Sequence, residues 1–373
     1  MKIALFVFRY GPSHGSILQT YALTRTLERM GHEVTIIDRQ RPITAKKLLM
    51  TGLAVVKRIA TLRLSFDGIL LREYPKKIMA KLNGFIDKEL RAQTITIHSE
   101  KELRILGKAE YDAYIVGSDQ TWRPKYVFNI YNYYLDFVPN DRDVKRVAYA
   151  VSFGTSKWEY SEEQENRCKS LVNLFDGVSV REDEGIVLCK EHYNIDAKHV
   201  LDPTLLLKAE DYRKVTSLLP SKTAYVGYNF LDYSDEKMQI IDVVSRSLGL
   251  PGKQINNLTE IPGETMKGRV APSIDEWISG IANADFVIAD SFHATVFAIL
   301  FHRPFIAVGN VKRGLSRFTS LLDIVNLSER LVTCENQVSQ ALIKSNINWT
   351  EVDDCISSMR RSSLSFLSSC LTK

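Results

Sequence analysis

Apolar and polar positions along this chain follow two alternating periods. Short apolar runs with the look of buried strands are separated by stretches at helical spacing. Ile3–Phe8 reads as a strand, Leu18–Met30 as a helix ended by Gly31, and Val34–Asp38 as a second strand. A long helical pattern covers roughly 43–92. Strands follow at Tyr111–Gly117 and Arg146–Phe153, then a helix at 160–175 and a short strand at Gly177–Val180. Glu182–Tyr193 reads as a helix, and Val200–Leu201 as a strand running into Asp202-Pro203. A polar link near 208–220 ends at Pro220, and the alternation restarts. Tyr225–Asn229 and Gln254–Asn257 read as strands around a helix at Glu236–Leu248. Ser273–Ala282 is a helix opened by a Ser273…Glu276 capping box. Then come a strand at Phe286–Ala289, a helix at Ala294–Phe301, a strand at Pro304–Val308 and a helix at Arg317–Val325. This order predicts an α/β protein with two Rossmann-like domains, parallel sheets and a ligand cleft between them. The first domain is expected over 1–210 and the second over 221–345. An amphipathic helix at 349–371 is expected to return to the first domain.

Length agrees with two domains, since 373 residues is long for one core. No apolar run reaches the roughly 18 residues of a membrane span. The opening MKIALFVFRYGPSHGS has only a short apolar run and reads as a first strand, not a signal peptide. The five cysteines show no CxxC spacing, so neither a zinc site nor a disulfide framework is suggested, and a reducing cytoplasm fits. A net charge of +5 is too weak to argue for nucleic acid.

That charge is uneven. Residues 43–88 hold ten lysines and arginines against three acids, with apolar residues at helical spacing. A basic amphipathic helix can lie on an anionic membrane. A solvated helical insertion packed by its apolar side is the plainer alternative.

The chemistry is concentrated at strand ends. His293 follows the Phe286–Ala289 strand in the quartet Asp290-Ser291-Phe292-His293 and stands near a helix N-terminus. There, free N–H groups and the helix dipole favour an anion, and a histidine can move protons; capping or packing at the turn is the alternative. In Gly11–Gln19, Gly15 would let a ligand approach the backbone and Ser16 would cap the helix, or the segment is an ordinary turn without a nucleotide signature. In Val116–Trp122, Ser118 and Asp119 end a strand and Trp122 can stack on a sugar face; equally, one of them caps a helix and Trp122 is core. Arg181 ends the Gly177–Val180 strand and can grip a carboxylate or phosphate, or pair with Glu182 or Asp183. The loop Gly309–Arg317 carries Lys312, Arg313 and Arg317, for an anionic ligand or for solvent.

Taken in order, these pieces resemble the polysaccharide pyruvyl transferase family. The matching segments are GSILQTYALTRTLERMGHEV at 15–34, YDAYIVGSDQTW at 111–122, YAVSFG at 149–154, VSVREDEG at 178–185, VLDPTLLL at 200–207, ADFVIADSFHATVFAILFHRPFIAV at 284–308 and SRFTSLLDIVNLSERL at 316–331. The resemblance implies a glycosyltransferase-B-like pair of domains. It also implies transfer of pyruvate from phosphoenolpyruvate to two hydroxyls of a sugar, as a cyclic ketal. No other cofactor and no metal are implied. Partners would be phosphoenolpyruvate and a saccharide acceptor, often lipid-linked, at the inner face of the cytoplasmic membrane.

The family's histidine aligns with His293 and its arginine with Arg181, giving two expected catalytic residues. Ser291, Phe292, Ala294, Thr295, Lys312 and Arg317 are expected at the donor, and Gly15, Ser16, Ser118, Asp119 and Trp122 at the acceptor. The chain departs from the pattern in three places. Some members have Arg where it has Ser291 and Gly where it has Ala294, and many have Asn where it has Ser13. Without an arginine in the turn, Arg181, Lys312 or Arg317 is left to meet the donor carboxylate. A nucleotide-sugar glycosyltransferase and a non-catalytic saccharide-binding relative remain the alternatives.

Overall fold

Among the described residues, buried runs of Ile, Val, Leu, Ala and Phe build two sheets in which every pairing is parallel. The structure is a computed structural model and describes residues 1–40, 77–218, 220–257, 266–309 and 314–372. The first sheet contains β1 (Lys2–Val7), β2 (Glu33–Arg39), β3 (Thr94–Ile97), β4 (Ala113–Val116), β5 (Lys145–Val151), β6 (Gly177–Val180) and β7 (Lys198–His199), in the order β3-β2-β1-β4-β5-β6-β7. The second contains β8 (Val226–Asn229), β9 (Gly252–Gln254), β10 (Phe286–Ala289), β11 (Phe305–Val308) and β12 (Leu331–Val332), in the order β12-β11-β10-β8-β9. Four residues of β10 and four of β11 are all buried, as expected for strands covered on both faces by helices.

Strand order reverses between β1 and β4 in the first sheet and between β8 and β10 in the second. Loops leaving the carboxyl ends of those strands part there and open a crevice. The His14–Arg29 helix follows β1, and the Phe292–Leu300 helix follows β10. The domains meet through apolar packing: Tyr212 stands edge-on to Phe297, ring centroids 4.8 Å apart, and Phe297 in turn to Trp277 at 5.3 Å.

The Trp349–Leu371 helix lies against the first sheet. Ser363 Oγ accepts the Leu201 N–H at 3.0 Å, and Arg360 donates to the carbonyls of Leu205 and Leu207 at 2.7 and 3.3 Å. Most of the basic stretch 43–88 falls outside the described residues. Its end forms the Ala80–Glu89 helix, which buries Leu82, Phe85 and Ile86. There Lys81 pairs with Glu276 at 2.8 Å, across the two domains. Among the described residues, no helix is long and apolar enough to cross a membrane.

Candidate active site

The crevice between the sheets is a cavity of about 370 Å³. Its first-domain wall comprises Phe8 and Arg9 after β1, the start of the His14–Arg29 helix, and Asp119, Gln120 and Tyr126 after β4. Its second-domain wall comprises Asn229 and Leu231 after β8, Asn256 and Asn257 after β9, Trp277, Ser291–His293 after β10, and Arg317. A wider hollow of about 730 Å³, lined by Met1, Lys2, Arg142 and Lys145, lies at the amino-terminal end of the first sheet. It touches none of the strand-end loops where open α/β sheets hold ligands.

Two helices therefore point their N-termini into one cavity. His14, Gly15 and Ser16 open the first helix and Phe292 and His293 the second. Ser13 caps the first, its Oγ accepting the Ser16 N–H at 3.3 Å. Ser291 makes no such bond at the second, so the first-turn N–H groups there have no side-chain cap. Such an end attracts an anion.

His293 is nearly buried, with 12% of its side chain exposed. Its Nε2 lies 3.6 Å from Asp202 Oδ2, slightly longer than a hydrogen bond. Its Nδ1 faces the first helix so closely that a Cβ at Gly15 would sit 2.0 Å away. Only glycine fits there. The carboxylate favours the proton on Nε2, which leaves Nδ1, beside Gly15, as the unprotonated ring nitrogen.

Asp202 is the hub behind the histidine. Its Oδ2 accepts from Gln19 Nε2 at 2.5 Å and Arg181 Nη1 at 2.9 Å. Its Oδ1 accepts from the Thr204 N–H at 2.9 Å and Thr204 Oγ1 at 2.6 Å. Burial would raise this carboxyl's pKa, but His293, Arg181 and Thr204 outweigh burial and hold it well below the usual carboxylate range. In the sequence Asp202 is legible only as the residue before a proline at a strand end. An aspartate capping a turn with Pro at the next position is the local signal it carries.

Arg181 is the chief correction. It does not line the cavity. Its side chain is 2% exposed and bridges Glu182 at 3.1 Å and Asp202 at 2.9 Å, with its guanidinium carbon 4.7 Å from the centre of the Phe292 ring. Two buried carboxylates hold it behind the site. Trp122 is the second correction: it is fully buried, stacks on Tyr134 at 4.5 Å and donates its indole N–H to the Tyr133 carbonyl at 2.9 Å. The chain turns sharply at Asp119, where φ is +83°, and sends the tryptophan into the core, away from any sugar.

Other expected residues divide between the cavity and its support. Ser291, Phe292, Arg317, Gly15, Ser16 and Asp119 reach the cavity with His293. Ser118 does not; its hydroxyl accepts from Gln19 and donates to the Ala150 carbonyl. Ala294 is buried, and Thr295 is buried with its hydroxyl donating to the Ser291 carbonyl at 3.2 Å. Lys312 lies outside the described residues.

Arg317 lines the cavity, and its Nε is buried with no hydrogen-bond partner. Burial, and after it the like charge of Arg181, lower its pKa from the ordinary arginine value. An anion in the cavity would relieve both. His14 lines the same wall, donates through Nε2 to the Pro272 carbonyl at 2.9 Å and stacks on Trp277. Burial lowers its pKa to about 4, so it stays neutral near pH 7 and ties the two domains together across the crevice.

A family profile for polysaccharide pyruvyl transferases matches residues 14–312, which span every one of these strand-end loops except the first turns after β1 and the helix carrying Arg317. The chain belongs to the polysaccharide pyruvyl transferase family. Membership places it among transferases. No curated protein gave a match. Among solved structures, the pyruvyl transferase fold is similar to Arabidopsis thaliana UGT89C1 complexed with UDP-L-rhamnose, at TM-score 0.53 and 10% identity, covering 98% of this chain and 97% of that one. A UDP-GlcNAc 2-epimerase from Methanocaldococcus jannaschii gives 0.49 at 11% identity, with coverages of 96% and 92%. At such identities the likeness to UGT89C1 speaks for the two-domain glycosyltransferase-B-like fold alone.

Proposed function

We propose that this chain transfers pyruvate from phosphoenolpyruvate to two hydroxyls of a saccharide, forming a cyclic ketal and releasing inorganic phosphate. The observation that carries the reading is His293 on a cavity shared by two helix N-termini and Arg317, whose buried Nε has no hydrogen-bond partner. The donor has a carboxylate and a phosphate, which suit Arg317 and the uncapped start of the Phe292–Leu300 helix. Protonation of the methylene carbon turns it into a methyl group and makes the neighbouring carbon electrophilic. One sugar hydroxyl adds there, and phosphate leaves with the electron pair of the broken C–O bond. The second hydroxyl then closes the ring. His293 carries protons between the hydroxyls and the methylene carbon. Asp202 steadies the imidazole while it is charged, and Arg181 keeps Asp202 ionised and in place. The reaction as written draws on no further cofactor.

In this reading the acceptor is lipid-linked, and the basic stretch 43–88 approaches an anionic bilayer at the cytoplasmic face. Co-sedimentation with anionic and neutral vesicles tests that part, and equal binding to both would remove it.

The donor is tested by thermal shift with phosphoenolpyruvate, UDP-sugars and free sugars in parallel. Phosphoenolpyruvate is expected to stabilise the protein. His293→Ala should keep that stabilisation and lose about 10²-fold or more in turnover. Stabilisation by UDP-sugars and not by phosphoenolpyruvate would make the chain a nucleotide-sugar glycosyltransferase instead. Stabilisation by free sugars alone would make it a saccharide-binding relative.

A further inference from the structure

With Trp122 in the core, its ring is not available to a sugar face. Another stands nearby. Tyr126 and Phe128, on the loop that follows β4, are 40% and 53% exposed, an unusual state for side chains of this size. Tyr126 lines the reaction cavity together with His293 and Arg317. It also borders a shallow side hollow with Phe8, Arg9, Arg39 and Phe128, so the two depressions share a lip.

Each exposed ring has an arginine over it. The Arg123 guanidinium lies 4.6 Å from the centre of the Tyr126 ring. It is fixed there by two bonds to Glu159, at 3.0 and 3.1 Å, and one to Gln120 at 2.9 Å. Arg39 lies 5.9 Å from the Phe128 ring centre and is held by Glu100 at 2.9 Å. Arg39 is only 4% exposed, yet its Nε has no hydrogen-bond partner on the side-hollow wall. A cation packed on a ring limits its rotation and leaves the remaining surface to solvent. Flat apolar rings that are held in place match the C–H face of a pyranose.

We infer that the acceptor saccharide enters over Phe128 and Tyr126, with the reacting sugar against Tyr126 and the preceding sugar of the chain against the exposed Phe128 ring. The inference rests on the proposed function for the identity of the reacting sugar, but the platform binds saccharide whether or not pyruvate is the group transferred. It assigns the acceptor to the first-domain lip and leaves the second-domain helix end to the donor.

The test uses the full chain and saturation-transfer NMR with lactose, cellobiose, maltose and N-acetyllactosamine, with thermal shift by phosphoenolpyruvate measured on the same samples. At least one disaccharide is expected to bind. Its affinity should fall about tenfold in Tyr126→Ala and several-fold in Phe128→Ala, and survive in Tyr126→Phe. Thermal midpoints and the phosphoenolpyruvate shift should be the same in all variants. Unchanged affinity in both alanine variants overturns the platform, and so does failure of every disaccharide to bind the wild-type chain. If the sugar results hold while phosphoenolpyruvate produces no shift, the platform stands and the pyruvyl donor falls.

Discussion

Two arginines serve the cleft from opposite domains: Arg181 at the end of β6, and Arg317 one residue into the Ser316–Ile324 helix. Arg181 faces two buried carboxylates and is neutralised by them. Arg317 lines the cavity and has no ion partner among the described residues. The two are close enough for each charge to disfavour the other. A strand end is where a ligand-binding arginine is expected, and Arg181 occupies one, yet its neighbours make it a scaffold. Arg317, in a less informative place, keeps its charge available. What a cation does in a site is decided by the anions already folded against it.

The largest effect separating them is expected from Arg181→Ala. It strands Asp202 and Glu182 as buried carboxylates without their cation, which should cost about 3–5 kcal/mol of stability in a denaturant titration. The folded fraction should bind phosphoenolpyruvate as before. A variant that stays stable but no longer binds it would return Arg181 to the donor site and erase the contrast.

Next comes Gly15→Ala. The added methyl would meet the His293 ring 2.0 Å from Nδ1, so the imidazole has to move. A displacement of that order should lower turnover by roughly 10²-fold while donor affinity holds. Turnover near the wild-type rate would show that His293 has slack and that its nitrogen is not positioned by this contact.

Arg317→Ala should do the reverse of Arg181→Ala. Stability should fall far less than in Arg181→Ala, since no ion pair among the described residues is broken. Phosphoenolpyruvate affinity, read by isothermal titration, should fall about tenfold or more. A large loss of stability with intact affinity would mean that the two arginines have exchanged roles.

The smallest effect is a pH dependence. Asp202 has a folded-state pKa below its unfolded value of about 3.9. The unfolded chain therefore takes up this proton first as pH falls. The stabilisation is complete above about pH 4 and is lost as pH drops toward the folded value. The stability gap between wild type and Asp202→Asn should accordingly be constant near pH 7 and shrink below pH 4. A gap that grows in acid would contradict the assignment.

The alternation of apolar runs and helical spacing revealed both sheets, because a parallel strand buried on two faces leaves a continuous apolar signature. β10 and β6 have the bounds read from sequence. β3 and β12 lack that signature for physical reasons. Thr94–Ile97 is an edge strand with Ile95 exposed, and Leu331–Val332 is two residues long. Neither carries the pattern of a covered strand. At the site, His293, Gly15 and Asp119 were legible because strand ends face the cleft by topology. The places of Arg181, Trp122 and Asp202 are not legible in the same way, because whether a polar group faces a ligand or another side chain depends on contacts far along the chain. Gln19, Arg181 and Asp202 meet across up to 183 positions of sequence. Local spacing holds no record of that meeting.

The Trp349–Leu371 helix imposes an order on the making of the protein. During synthesis the strands of the first sheet emerge well before the helix that supplies Ser363 and Arg360 to Leu201, Leu205 and Leu207. The whole second sheet is translated in between. The domain that is begun first is thus the last to be finished. Until the ribosome delivers residue 371, the segment that presents Asp202 to His293 waits without its underside.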